Sequence, residues 1–367
     1  KVPCGIVLNQ ADRAGIDFAA LIEEIHEHFG RAATPVQFPV GDGKLSIVDL
    51  LLMKQLNYPE GGGKAEIVDI DGAHKDQAEE LHNTLVENIA ENDEALMERY
   101  LENGELSEQE LRDGLKSAML ERQLFPIFVC SATGNVGVDR LMSAIAANFP
   151  APNDVPPMPT EEGDPVVCDP DGPPVGFVFR TMTEPHVGEY SMLRIAAGSL
   201  EQGTELDNAQ TRSSERIGNL FVLNGRNRDN VPKLIAGDIG VTVKLKDTRT
   251  NNSLRAKGSD VVVAPIEFPE IRYAAAVRAA NAGEEDKLSA GLQKTMAEDP
   301  SLRLIHDTDL NQVILGGQGE MQLEIAKSRL KERYGVEVLL SIPKVSYRET
   351  IQSTSRGSYR HKKQTGG

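Results

Sequence analysis

The stretch of sequence that decides the fold lies near the carboxyl end and reads GGQGEMQLEIAKSRLKERYGVEVLL over residues 316–340. Its apolar residues recur at helical spacing, which predicts a helix over 319–334, and a strand follows over 336–340. The side chains predicted to face inward are Leu323, Ile325, Ala326 and Leu330. Upstream, the pattern predicts a strand, a helix and a hairpin at residues 272–280, 283–297, 302–306 and 312–315. The order β-α-β-β-α-β is typical of a ferredoxin-like domain.

Short β-type runs, separated by glycines at turn spacing, precede this domain. They lie at residues 175–182, 189–195, 203–206, 216–220 and 239–245. Strands at this interval with no helix between them predict a β-barrel of about 100 residues.

The first 150 residues follow a third pattern. Buried-strand runs at 5–8, 35–39 and 124–130 alternate with helices predicted at 18–29, ending at a glycine, and at 141–149. This alternation predicts half of a doubly wound α/β domain.

An acidic segment interrupts that α/β domain. Residues 60–113 contain 17 acidic and 4 basic side chains, a net charge of −13. Helical spacing at 77–89 and 94–101, and a capping-box pattern in which Ser107 precedes Glu110, predict a mostly helical insertion. A segment with this charge is either a solvated helical face or a docking surface for a basic partner.

Composition excludes several classes of function. The 367 residues carry a net charge of −17, which argues against general coating of nucleic acid. No apolar stretch approaches the roughly 18 residues of a membrane span. Cys4, Cys130 and Cys168 form neither a disulfide framework nor a zinc pattern, which indicates a reducing cytosol. The histidines lack metal-binding spacing, so we expect no metal site.

Two polar loops follow strands of the α/β domain, where such folds bind ligands. In the first, Asn9-Gln10-Ala11-Asp12, the Asp carboxylate can accept two N–H donors of guanine and the Asn can tie the loop to backbone. The second begins at Ser131 and Ala132, and its backbone N–H groups can meet a purine carbonyl. Each loop alone also fits a turn that simply ends a strand. Together they favour a guanine pocket.

The order of these units resembles the elongation factor G family over essentially the whole chain. The blocks that carry the resemblance are NQADRAGIDF (9–18), CSATGNVGV (130–138), PHVGEYSMLRIAAGSLEQG (185–203), AGDIGVTVKLKDTRT (236–250), KLSAGLQKTMAEDPSLRL (287–304), GGQGEMQLEIAKSRLKERYGVEV (316–338), PKVSYRET (343–350) and HKKQTGG (361–367).

The resemblance implies a multidomain chain that is a central piece of a longer protein. It divides the chain into the carboxyl-terminal part of a P-loop-type G domain at 1–150 with the helical insertion at about 40–122, a proline-rich linker at 151–162, a translation-factor β-barrel at 163–265, a ferredoxin-like domain at 266–342, and the start of a truncated fourth domain at 343–367.

The same resemblance assigns a guanine-binding role to Asn9, Gln10, Asp12, Ser131 and Ala132. Gln10 stands where the family has a lysine whose stem packs over the base, so we expect guanine selectivity with altered affinity. The implied cofactor is GTP or GDP with Mg²⁺ in the full-length parent. No G-x-x-x-x-G-K-[ST] phosphate-binding motif occurs in these residues. We therefore expect this chain alone neither to bind nucleotide well nor to hydrolyse GTP.

The function that the resemblance implies is a ribosome-dependent translational GTPase that promotes tRNA–mRNA translocation or recycling in the cytoplasm. Its partners would be ribosomal RNA, ribosomal proteins and, at the acidic insertion, the stalk protein, with no membrane and a monomeric state. Basic residues within 356–363 either meet rRNA phosphates or form a solvated tail. One alternative is a non-enzymatic, nucleotide-independent ribosome-binding paralogue, which Gln10 favours. The other is a ribosomal-protection-type translational GTPase.

Overall fold

The computed structural model describes residues 2–13, 15–41, 46–184, 188–225 and 227–360. The chain divides into two units, Lys1–Pro156 and Pro157–Gly367. The HKKQTGG block with Lys362 and Lys363, and residues 185–187 of the block at 185–203, lie outside the described residues. No helix in the described part of the chain is long and apolar enough to cross a membrane.

The helices and strands described in the first unit are, in chain order, β1 (Ile6–Leu8), α1 (Phe18–Phe29), β2 (Ala33–Pro35), β3 (Gln37–Val40), β4 (Ser46–Asp49), β5 (Lys54–Asn57), β6 (Glu66–Val68), a 3₁₀ turn (Gly72–His74), α2 (Lys75–Ala90), α3 (Glu94–Asn103), α4 (Glu108–Glu121), β7 (Phe125–Val129) and α5 (Val138–Asn148).

A parallel sheet, in which β7 lies between β1 and β2, forms the base of the first unit. In its register Leu8 pairs with Val129, so the loops after β1 and β7 leave the sheet side by side. Helix α1 begins and ends where the sequence predicts. The Asp17 side chain accepts a hydrogen bond from Ala20 N, and Gly30, at φ 77°, donates its N–H to His26 O.

The inserted segment departs from the prediction. The strands β3, β4, β5 and β6 form an antiparallel sheet in that order, and the described helical residues of this segment begin only at residue 72. The prediction of a helical insertion at about 40–122 is therefore wrong in its first part. The predicted strand at 35–39 also breaks at Val36, between the two sheets. Strands of three or four residues are too short to show alternation, which is why the sequence pattern misses them.

Helices α2, α3 and α4 pack on this inserted sheet through one buried cluster. Its fully buried members include Phe38, Leu50, Leu85, Ile89, Leu115 and Met119. The predicted capping box is present, since Ser107 Oγ accepts from Glu110 N and Glu110 Oε2 accepts from Ser107 N at 2.9 Å. Hydrogen bonds from Ser107, with Arg99 alongside, lower the pKa of Glu110 to about 2.

The elements described in the second unit are β8 (Val175–Glu184), β9 (Gly188–Ala197), β10 (Ser199–Glu201), β11 (Glu205–Asn208), β12 (Ser214–Arg216), β13 (Leu220–Asn224), β14 (Asn227–Val231), β15 (Lys233–Ile235), β16 (Ile239–Val243), β17 (Ser253–Arg255), β18 (Tyr273–Ala279), α6 (Glu285–Glu298), β19 (Arg303–Asp307), β20 (Gln312–Gly317), α7 (Glu320–Tyr334) and β21 (Val338–Ser341).

Antiparallel pairing joins the strands of the predicted barrel. Among the described residues the main sheet has eight strands in the order β12-β11-β17-β8-β9-β16-β13-β14, and β10 pairs separately with β15. Its core includes Val178, Leu193, Leu206 and Leu254, all fully buried. Residues 217–219 join β12 to β13, so the predicted single strand at 216–220 is wrong. Gly218 in this segment favours the break.

The last part of the second unit has the predicted β-α-β-β-α-β order. Its strands lie antiparallel in the order β19-β20-β18-β21, with α6 and α7 contributing Leu288, Leu292, Leu323 and Leu330 to one core. Ile325 is 45% exposed, so the expectation that it faces inward is wrong. Neighbouring helix positions are about 100° apart, and Ala326 takes the inward position next to it.

Candidate functional site

The two polar loops predicted to recognise guanine lie together at the carboxyl end of β1 and β7. Cys130 N donates to Leu8 O at 2.9 Å, and Ala11 N donates to Cys130 O at 3.2 Å. The backbone pairing of the parallel strands therefore continues past their ends. These bonds place the loop at 9–12 against the loop at 130–136, which we call the base loop.

Asn9 ties the two loops together, as the sequence predicts. Its Oδ1 accepts from Ala132 N at 3.0 Å and from Gln10 N at 2.8 Å. The buried Cys130 thiol lies 3.7 Å from the same oxygen, and burial raises the pKa of this thiol. The Asn9 side chain therefore serves to hold the two loops in place.

Ser131 has a structural position inside the base loop. It is fully buried, it pairs with Val136 through both backbone groups, and its Oγ accepts from Gly134 N at 3.1 Å. The N–H groups of Ala132 and Gly134 are therefore already donated within the site. Thr133 N donates no hydrogen bond to the described residues. The structure thus identifies Thr133 as the available donor, a residue that the sequence pattern does not distinguish from its neighbours.

Asp12 lies beside this loop with its carboxylate accessible. The side chain is exposed and makes no hydrogen bond to the described residues. Its Oδ2 is 3.6 Å from the position that a Cβ on Gly134 would occupy. A free carboxylate that accepts two hydrogen bonds and a free backbone donor form the complementary pattern to the N1–H, N2–H and O6 groups of guanine.

Gln10 occupies a left-handed backbone conformation with φ 62°, and its side chain is exposed. That side chain makes no hydrogen bond to the described residues. Its methylene stem is therefore available to cover a base, without the charge that a lysine supplies.

These residues are less well suited to phosphates and Mg²⁺ than to the guanine base. In the described ranges, no group of three or more His, Cys, Asp or Glu side chains is arranged to hold a metal. The sequence also lacks a phosphate-binding motif, so the free polar groups described at this site match those of a base and not those of a phosphate.

The acidic insertion presents its charge outward. Of the acidic residues between 60 and 113, all but Glu110 are exposed. Among the described residues, basic side chains pair with four members of this set, namely Asp69, Glu79, Glu108 and Glu110. Most of the remaining carboxylates lie on or between helices α2, α3 and α4, where they are exposed.

Comparison with known families gives two matches in the second unit. Residues 173–257 match the model described as Elongation factor G domain 2, and residues 268–342 match Elongation Factor G, domain III. Residues 173–257 and 268–342 therefore belong to the elongation factor G family. The two matched ranges lie within the parts expected to be the β-barrel and the ferredoxin-like domain of this family.

A solved structure extends the similarity to most of the chain. The crystal structure of a protein from Thermus thermophilus aligns with a TM-score of 0.77 and 28% sequence identity, over 94% of this chain and 50% of that protein. The chain therefore spans about half the length of this relative.

Proposed function

We propose that this chain is part of a ribosome-dependent translational GTPase that promotes tRNA–mRNA translocation or recycling in the cytoplasm. The two matched elongation factor G domains support a role in translation. The observation that carries the nucleotide part is the free Asp12 carboxylate beside Gly134 of the base loop, a loop in which Thr133 N–H makes no hydrogen bond to the described residues.

Recognition of guanine follows from the pattern of donors and acceptors. The Asp12 carboxylate accepts from guanine N1–H and N2–H, and Thr133 N–H donates to O6. Adenine has no proton on N1 and presents an amino group in place of O6, so it leaves both protein groups unpaired. Unpaired polar groups are the main source of discrimination between such ligands.

Phosphate binding and hydrolysis require residues that this chain does not supply. Phosphoryl transfer depends on a phosphate cradle, a Mg²⁺ ion and a positioned water. Because the chain spans half of its structural relative, we expect those groups in the other part of a longer protein. We propose no GTP hydrolysis by these 367 residues alone.

The proposed partners are components of the ribosome. The exposed carboxylates of α2 to α4 suit a basic protein such as the ribosomal stalk protein. Exposed basic residues such as Lys344, Arg356 and Arg360 suit rRNA phosphates. We propose that the protein acts as a monomer.

Gln10 supports a second candidate, a ribosome-binding paralogue that acts without nucleotide. Without the lysine charge, base stacking and phosphate attraction are both weaker. In that case the base loop would be a structural remnant.

A binding experiment tests the proposal. GDP and GTP, with ATP as the control, are titrated into the protein at its full natural length, and Asp12→Asn is compared using xanthosine diphosphate. We expect guanine-selective binding in the wild type and a shift towards xanthine in Asp12→Asn, since an amide donates where the carboxylate accepts. Absence of guanine-selective binding in a folded protein, with nucleotide-independent cosedimentation with ribosomes, would instead establish the second candidate.

A further inference from the structure

The turn between β5 and β6 packs directly beneath the base loop. Gly63 N donates to Asn135 O at 2.9 Å, and Gly62 N closes the turn onto Pro59 O at 2.9 Å. The turn belongs to the inserted sheet, whereas the base loop belongs to the parallel sheet. A backbone hydrogen bond thus joins two segments more than 70 residues apart in sequence.

Gly62 allows this close approach. Its φ is 77°, and a Cβ at this position would come within 3.0 Å of the carbonyl oxygens of both Gly134 and Asn135. Restoring an ordinary contact would require the turn and the loop to separate by about 1 Å. Gly134 in turn lies beside the Asp12 carboxylate, so such a displacement alters the spacing between the acceptor and the donor of the base site.

Side chains of the inserted sheet and its turn hold the helix that follows the loop. Tyr58 OH donates to Asp139 Oδ1 at 2.9 Å, in the first turn of α5. Burial, together with this hydrogen bond, raises the pKa of Tyr58, so the phenol stays protonated and keeps donating. The next residue, Arg140, donates Nε to the buried Asp49 of β4 at 2.8 Å. The base loop is therefore held by the turn between β5 and β6 and, at its carboxyl end, by the start of α5.

We propose that the Gly61–Gly63 turn of the inserted sheet positions the base loop and thereby sets the affinity for guanine. This inference rests on the proposed function, because it concerns the same guanine site. The turn touches no nucleotide atom in this role, and its effect passes through Gly134 and Asn135.

The test compares two glycines with similar backbone conformations. Gly62→Ala introduces the collision, whereas Gly61→Ala, at φ 87°, meets nothing within 4 Å and serves as the matched control for backbone strain. Dissociation of fluorescently labelled GDP and ADP is measured in the protein at its full natural length. We expect the affinity of Gly62→Ala for GDP to be roughly tenfold lower than that of Gly61→Ala, and its selectivity for GDP over ADP to be lower as well. The reason is that groups which bind a ligand must be held to within about 0.5 Å of their productive positions. A purely structural role would lower stability without changing this selectivity.

Each outcome separates the inference from the proposed function. If the wild type binds GDP selectively and the two alanine variants are equal, the inference is overturned and the proposed function stands. If the wild type binds no GDP, both the inference and the proposed function are overturned. Should Gly62→Ala not fold, Tyr58→Phe takes its place, because it removes only the hydroxyl tie to Asp139. We then expect GDP affinity to fall by about threefold, and unchanged affinity and selectivity would overturn the inference.

Discussion

Replacement of Asp49 by asparagine tests how the inserted sheet is joined to the base-site strand. Asp49 is 2% exposed. Its Oδ1 accepts from the backbone N–H groups of Leu51 and Leu52, and its Oδ2 accepts from Arg140 Nε at 2.8 Å and Gln37 Nε2 at 3.3 Å. Gln37 Oε1 in turn accepts from Val129 N, the residue before the base loop.

Asparagine keeps one acceptor oxygen and turns the other into a donor. Oδ1 can still accept from Leu51 and Leu52, but the new amide nitrogen faces the donors of Arg140 and Gln37. One charge-assisted and one neutral hydrogen bond are lost, worth about 3 kcal/mol together in a buried site. The Arg140 side chain is 21% exposed, so water recovers a little of this cost. If the Gln37 amide rotated, its oxygen could accept from the new amide nitrogen. Its own nitrogen would then face Val129 N, which is also a donor.

Native-state hydrogen exchange gives the most direct assay. We expect the Val129 amide to exchange roughly a hundredfold faster in Asp49→Asn, which corresponds to the expected loss of free energy. Peptides covering β4 and β7 should report the same change, and helices α6 and α7 of the second unit should not.

An exposed ion pair of the same sheet is the control. Asp69 accepts from Lys54 Nζ at 2.6 Å, but the two side chains are 91% and 45% exposed. Since exposed pairs contribute little, Asp69→Asn should leave exchange unchanged. Equal exchange at Val129 in the Asp49→Asn and Asp69→Asn proteins would refute the claim that the buried network supports β7.

Three further predictions concern other parts of the chain. Glu215 is 2% exposed and accepts from Lys246 N, Asp247 N at 2.9 Å and Thr248 Oγ1 at 2.8 Å. Glu215→Ala should therefore lower the free energy of unfolding of the second unit by about 3 kcal/mol or more in urea titrations, and a loss below about 1 kcal/mol would contradict this network. Although burial opposes it, hydrogen bonding by Ser301 and Gln322 keeps the pKa of Asp299 below its ordinary value of 3.8. The stabilisation from a depressed carboxyl pKa is present above the unfolded value and lost as pH falls through the folded value. Acid unfolding of the second unit below about pH 4 should accordingly be less steep in Asp299→Asn, and identical pH profiles would exclude the effect. Replacing the exposed Glu91, Glu98 and Glu102 by glutamine should slow ribosome association severalfold at low salt and reduce its salt dependence, whereas an unchanged rate would show that this surface is only solvated.

Local signals in the sequence predicted the elements whose ends are chemically marked. Helix α1 ends at a glycine, and α4 opens with the Ser107 capping box. The tying role of Asn9 was also predictable, because an Asx side chain at a strand end seeks nearby N–H groups. The inserted sheet was missed because three- and four-residue strands gain stability from pairing and burial, not from their own periodicity. Ile325 was misplaced because it lies about 100° around the helix from Ala326, and the apolar spacing alone does not show which of the two faces the core.

The sequence by itself determined the order of the domains, the capped helices and the residue types at the base site, because spacing and capping act within a few residues. Only the tertiary structure decided which groups of that site remain free. Ser131 and the Ala132 N–H are used internally, whereas the Asp12 carboxylate and Thr133 N–H are available. The packing of Gly62 under Asn135 was likewise decided only by the fold. The physical reason is that hydrogen-bond partners and close approaches depend on residues far apart in the chain. A local sequence pattern cannot predict which of these residues come into contact.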